Sequence, residues 1–275
     1  MRPLAAISNE DRKRVVEACA ASATEIAGTL ARLDDGTLAA PSALPGWSRL
    51  TIACHLRYGG EALAQMTSAA IGGRPASYYP EGRARQRPAT LEPRRGERPS
   101  DVVRSLRQGA DQLQRVWSEL SEEEWHTAVE EPDDNPDLGR VDVSWLPLLR
   151  LTELEVHGDD LALGLDQWSE LFVRVALPAR LDWLNERRSN HRAFDGGLEG
   201  SWLLSATDGP TYRVEIRASV VDARPVGEGT GARATIIASS RDLLALLLGR
   251  TRTEPLRVSG DVTFARRFED AFPGP

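Results

Sequence analysis

Three side chains able to bind a metal fall where the apolar pattern predicts buried helix faces. His55 lies in a run whose apolar positions, Ile52, Leu56, Gly59, Leu63 and Met66, follow a helical spacing. Glu153 and His157 lie far downstream in a second such run, marked by Leu146, Leu149, Val156 and Leu163. Residues four apart stack one turn above each other on a helix, so Glu153 and His157 point the same way, and Asp160 falls on the same arc. A helix keeps such groups on its wet face unless they are satisfied inside, because burying them without partners costs several kcal/mol, of the order of ~2–7 for a polar group and more for a charge. One divalent ion held by His55, Glu153 and His157 satisfies all three. A buried His157–Glu153 hydrogen bond, with His55 an unrelated core histidine, also does so, and the spacing leaves both readings open.

The outer residues of this constellation have defined options. Asp160, one turn beyond His157, is placed to accept the second ring N–H of that imidazole. Arg150, one turn before Glu153, either orients that carboxylate or pairs on the surface with Glu130 or Glu131. His126, after an acidic run, and His191, in a Ser-Asn-His-Arg stretch, lack apolar helical company and read as exposed.

The elements that must position these residues can be read from caps and periodicity. Ser8 caps a first helix through Val15, Cys19, Ile26, Leu30 and Leu33, ended by Asp34-Asp35-Gly36. Pro41 to Trp47 is a turn, and Ser48 caps the His55 helix, which stops near Gly72-Gly73. Ser100 opens a third helix through Leu120, and a fourth runs from about Ser144 to Leu163, with Pro147 in its first turn. Four helices of this length make a bundle, whose sites form between facing helices. After a further helix around Trp168 to Arg187 the period changes. Trp202–Ala206, Tyr212–Val220 and Ala234–Ala238 alternate as strands, with a turn at Asp208-Gly209-Pro210. Ser240 caps the apolar helix Leu243–Leu248, and a strand at Leu256–Val258 and a helix from Asp261 to Phe272 follow. The fold class is therefore α+β, with residues 1–165 a helical bundle and 166–275 a linker helix and a smaller α+β domain.

Between the second and third helices, residues 74–98 carry seven arginines against three glutamates, with several prolines and the pair Tyr78-Tyr79. As a lid, this segment would meet a carboxylate-bearing ligand through Tyr79, Arg83, Arg85 and Arg87, since guanidinium binds carboxylate in a bidentate fork. As a solvated loop, its arginines reflect only codon usage: Lys13 is the sole lysine among 34 basic residues, the mark of a GC-rich genome.

Composition narrows the function classes. A net charge of −7 and a pI near 5.3 argue against a nucleic-acid surface. No apolar run approaches the ~20 residues that span a bilayer, and no export signal is read at the N-terminus. Cys19 and Cys54 make no disulfide framework and lie on core faces. A cytoplasmic protein, monomeric or homodimeric, with small-molecule partners is expected.

Leu44-Pro45-Gly46-Trp47-Ser48 before the His55 helix, followed by Arg150-x-x-Glu153-x-x-x-His157-x-x-Asp160, resembles the mycothiol-dependent maleylpyruvate isomerase family. That family belongs to the DinB-like four-helix metalloproteins and carries a C-terminal domain related to sterol-carrier-like folds. The Asp-Leu-Leu…Leu-Gly-Arg…Val-Ser-Gly-Asp order here resembles that domain. The resemblance implies zinc on His55, Glu153 and His157, and mycothiol or a related low-molecular-weight thiol as cofactor. It also implies an arginine of the C-terminal domain near the active site, which Arg250 matches best; on the residues alone, Arg250 is a cation at the negative end of a helix. Three protein ligands leave one zinc position open, where a thiol binds as thiolate. Three functions follow: an isomerase of maleylpyruvate-like diacids, an S-transferase that leaves the thiol on an electrophile, and a non-catalytic metal-stabilised small-molecule-binding protein.

Overall fold

A computed structural model describes residues 7–132, 141–165, 168–186, 198–218, 220–227, 229–250 and 252–274. The chain divides into two compact units, one running through Phe172 and the other starting at Val173. His191 lies outside the described residues.

The first unit is a bundle of four long helices. Helix α1 (Asn9–Leu30) is capped by Ser8, whose Oγ accepts the Asp11 N–H at 3.1 Å, and buries Val15, Cys19, Ala23, Ile26 and Leu30. It ends one turn earlier than its apolar pattern suggests. Asp34 is a better cap than a helix-interior residue and takes the Thr37 N–H at 2.7 Å, which opens the short α2 (Asp35–Ala39). Helix α3 (Arg49–Ile71) starts from Ser48, whose Oγ accepts the Thr51 N–H, and closes at Gly72. The arginine-rich segment is not purely a loop, because Arg83–Thr90 forms α4. Helix α5 (Pro99–Ser118) begins at Pro99 and not Ser100. Proline loses nothing in the first turn, and Asp101 accepts the Arg98 N–H at 3.1 Å. Helix α6 (Leu146–Asp160) carries the second motif. α3 packs on α5 and α6, and α1 on the same two helices. Trp117 fills the interior and donates its indole N–H to Thr67 at 3.1 Å. Arg57, buried on α3, donates to Glu97 at 2.6 Å and so fastens the connection between α4 and α5. A two-stranded ribbon, β1 (Ala128–Val129) and β2 (Val141–Asp142), precedes α6.

Helix α7 (Glu170–Glu186) leads into the second unit. Its sheet is ordered β5-β4-β3-β6-β7, from β3 (Gly200–Ala206), β4 (Thr211–Arg217), β5 (Val220–Val226), β6 (Ala234–Ala238) and β7 (Arg257–Gly260). β3 and β6 are parallel and every other pairing is antiparallel. The run expected as one strand from Tyr212 to Val220 is split. Ala218 turns the chain at φ +48°, and β5 returns alongside β4. Helix α8 (Ser240–Leu248) is capped by Ser239 and not Ser240, and helix α9 (Val262–Ala271) by Asp261. The core is aromatic, with Trp202 stacked on Phe264 at 4.3 Å between ring centres and edge-on to Phe268 and Phe272. The outer edge of β5 is closed by one side chain of α7. Asn185 donates to the Ala223 carbonyl at 2.9 Å and accepts the Ala223 N–H at 2.6 Å.

Candidate metal centre

The two motif helices bring their polar residues to one point. His55 on α3 and Glu153 on α6 meet at 2.6 Å, Nε2 to Oε2, and His157 Nε2 lies 3.4 Å from the same oxygen. One ligand atom from each residue lies within 4.8 Å of the others. The imidazoles are buried and meet edge to face, with centroids 4.8 Å apart. His157 is oriented by Asp160, whose Oδ2 stands 2.8 Å from Nδ1, so Nε2 faces the cluster. The Nδ1 of His55 is buried without a partner among the described residues, so no comparable outer bond holds that ring.

The turn before α3 supplies a wall. Ser42 donates its N–H to the Trp47 carbonyl, and Ala43 donates to the Asp160 carbonyl at 2.8 Å, pinning the turn to the end of α6. Trp47 therefore stacks on His157 (5.8 Å, 12°) and meets His55 edge-on at 5.4 Å. Arg87 of α4 lies over the other part of this wall, its guanidinium carbon 5.7 Å from the Trp47 ring centre.

Electrostatics favour ions here. Burial works against a charged Glu153, yet His55 and His157 hold its carboxyl well below the usual carboxylate range. Burial pulls His157 down, but Asp160 and Glu153 outweigh it and raise the imidazole to about 9. A carboxylate between two imidazoles, one fixed by an outer carboxylate, is the donor chemistry of a divalent ion such as zinc, and the convergence of the three side chains fits one. Among the described residues this is the one group of three or more His, Cys, Asp and Glu side chains so placed.

The remaining expected residues scatter. Among the described residues Arg150 pairs with neither Glu130 nor Glu131. It is buried and donates to the Leu56 carbonyl of α3 at 2.8 Å. Its guanidinium passes over Gly59 and Gly60; on Gly59 an added β-carbon would stand 3.3 Å from one of its nitrogens and 2.9 Å from the Tyr78 hydroxyl, which accounts for that glycine inside a helix. Arg83 lies over the Tyr79 ring at 5.7 Å, and the exposed Arg85 pairs with Glu81 at 3.3 Å. Tyr79 is only 2% exposed, stacked on Tyr58. His126 is exposed, as expected. Arg250 follows α8 in the second unit, its backbone N–H bonded to Ala245 and its side chain donating to the Leu248 carbonyl at 3.3 Å. Cys19 and Cys54 are buried, which pushes their thiols up to about 12 and about 11, far from a reactive thiolate. Two residues given no role from sequence stand out. One is Trp47, signalled by its place in the Leu-Pro-Gly-Trp-Ser motif. The other is Tyr78, signalled only by being one of a tyrosine pair. Its hydroxyl lies over Gly59, one turn along α3 from His55.

No helix among the described residues is long and apolar enough to cross a membrane. No curated protein sequence matches the chain. Its fold is similar to the crystal structure of the mycothiol-dependent maleylpyruvate isomerase, at 18% identity and a TM-score of 0.64 over 91% of this chain and 94% of that one. The crystal structure of a histidine-to-alanine mutant of that isomerase matches with the same values. At this identity the likeness establishes the fold. Residues 19–162 match the family described as mycothiol maleylpyruvate isomerase N-terminal domain, more than half of the sequence, and the chain belongs to that family.

Proposed function

We propose that this chain is an enzyme in which His55, Glu153 and His157 hold a divalent ion, zinc by the nature of the donors, that readies a low-molecular-weight thiol for attack on an electrophile. The observation that carries this is the meeting of three donors from two helices at one oxygen of Glu153. Three protein ligands are the catalytic pattern, and an ion so held lowers the pKa of a bound thiol so that its sulfur is nucleophilic near neutral pH. The thiol is mycothiol or a relative, in keeping with the family, because the protein's own buried cysteines are not activated.

The chain's residues do the rest. Asp160 fixes the His157 ring, and Trp47 shields both imidazoles from bulk water. Arg87, with Arg83 and Arg85 on the same short helix and Tyr79 behind them, offers cations to carboxylates of thiol or substrate. Arg250 is proposed to face charge that develops on the substrate. In the isomerisation, sulfur adds to the cis double bond of a maleylpyruvate-like diacid and the new single bond rotates. Sulfur then leaves with its electron pair, regenerating the thiolate and the trans product.

Calorimetric titration of mycothiol into zinc-loaded protein, followed by turnover of maleylpyruvate, tests this reading. Saturable binding and thiol-dependent turnover are expected. A thioether product detected by mass spectrometry would make the chain an S-transferase. Neither binding nor turnover would leave a metal-stabilised small-molecule-binding protein.

A further inference from the structure

We infer that the Tyr78 hydroxyl is the hydrogen-bond donor to the substrate oxygen that gains negative charge when the thiol adds, and that Arg150 positions it; this rests on the functional reading above. A β-carbon on Gly59 would stand only 2.9 Å from the Tyr78 hydroxyl, so that hydroxyl lies against α3 one turn from the ligand His55. The same point is 3.3 Å from a nitrogen of Arg150, which places a cation beside the phenol. Arg150 is itself fixed, one nitrogen on the Leu56 carbonyl and the other buried without a partner among the described residues.

Tyr78 is held as a donor should be. Tyr58 donates to the Tyr78 carbonyl at 2.6 Å, and the rings of Tyr58 and Tyr79 pack edge-on against it at 5.7 and 5.0 Å. The side chain is nevertheless only half-buried, and Glu153 keeps 39% of its side chain accessible. Burial, followed by the charge of Glu153, holds the phenol well above its ordinary pKa. The O–H therefore stays protonated and acts as a standing donor.

The step balances without proton transfer. Sulfur forms a bond to one alkene carbon, and the π pair moves through the conjugated carbonyl onto its oxygen, which accepts the Tyr78 hydrogen bond. The pair returns as sulfur leaves, and Tyr78 is unchanged. A donor set in advance where charge develops is the arrangement whose removal typically costs ~100-fold or more in turnover.

Tyr78→Phe keeps the ring and removes only the hydroxyl. In zinc-loaded protein with mycothiol and maleylpyruvate, kcat should fall about 100-fold while metal content, melting temperature and mycothiol affinity stay at wild-type values. Gly59→Ala, whose methyl displaces the hydroxyl, should reproduce the loss. A second arm measures calorimetric binding of succinate, an unreactive diacid, to thiol-free zinc-loaded protein, and Tyr78→Phe should weaken it about tenfold. Succinate binding that depends on Tyr78 in a wild-type chain without thiol-dependent turnover would overturn the functional reading and keep Tyr78 as a ligand donor. Wild-type kcat in Tyr78→Phe, or succinate affinity indifferent to it, overturns the assignment of Tyr78.

Discussion

Asp160 offers the sharpest test of the metal centre, because its effect passes through one bond. Its carboxylate stands 2.8 Å from His157 Nδ1, with both residues buried. In Asp160→Asn the amide oxygen still accepts from Nδ1–H, so the bond survives and only its charge is lost. A hydrogen bond to a charged group contributes about 1.5–3 kcal/mol and a neutral one about 0.5–1.5, leaving a deficit near 1.4 kcal/mol, or about tenfold in the dissociation constant of the ion. Asp160→Ala leaves Nδ1 facing a cavity and should approach the ~100-fold loss seen when outer partners of metal ligands are removed. Competition for zinc against a chromophoric chelator measures both. The assay is best run near pH 9, since Asp160 also helps raise His157 to about 9 in the metal-free chain, and a proton there competes with the ion. Melting of the metal-free variants controls for folding. An Asp160→Ala protein that binds zinc as tightly as wild type would refute the assignment of His157 as a ligand held by Asp160.

His55→Ala and Glu153→Ala should each fall from about one equivalent of zinc per chain to a small fraction by elemental analysis; full occupancy in both sinks the site. Cys19→Ala/Cys54→Ala should keep thiol-dependent turnover and lose about 1–3 kcal/mol in denaturant melts, from truncation of two buried side chains. Glu97→Gln should destabilise by about 1–2 kcal/mol near neutrality. Burial raises the Glu97 pKa, but Arg57 and Arg94 outweigh it and leave it lowered, so this stabilisation is full above the ordinary carboxylate range and is lost as pH falls below it. Urea melts of wild type and variant should therefore converge in acid, and a gap that persists there contradicts the ion pair. Arg250→Ala should lower turnover about 100-fold with zinc content and melting temperature nearly unchanged, and Arg250→Lys should recover part of it; full activity assigns Arg250 to capping α8 alone.

The parts of this protein that were legible in its sequence are those decided locally. Ser8 and Ser48 cap their helices through bonds three residues long, and the spacing of His55, Glu153 and His157 against leucines is a property of single helices. What the sequence hid is decided by neighbours far along the chain. Tyr78 and Tyr79 are adjacent and chemically identical, and which one lays its hydroxyl over α3 and which stacks on Tyr58 is set by the missing β-carbon of Gly59 and the ring of Tyr58. The strand alternation of Tyr212–Val220 continues across the turn at Ala218, which lacks the glycine or asparagine that usually marks a positive φ. Helix α4 was masked by Pro88 and its own charge, although its arginines and alanines favour helix.

The edge of β5 depends on a feature of amide chemistry. An asparagine side chain carries an amide N–H and a carbonyl oxygen side by side, the kind of pair a peptide group offers, so Asn185 serves Ala223 as a one-residue stand-in for a neighbouring strand. Next to it Pro225 has no N–H to offer, so the central stretch of this edge gives little to an incoming chain. Loss of the amide nitrogen as ammonia would replace the donor with a second acceptor, set against the Ala223 carbonyl it had been bonding. The resulting aspartate has nearly the same size and shape, yet it would repel where asparagine binds. The ageing of a single surface amide is thus a route by which stored protein would expose a strand edge and begin to self-associate.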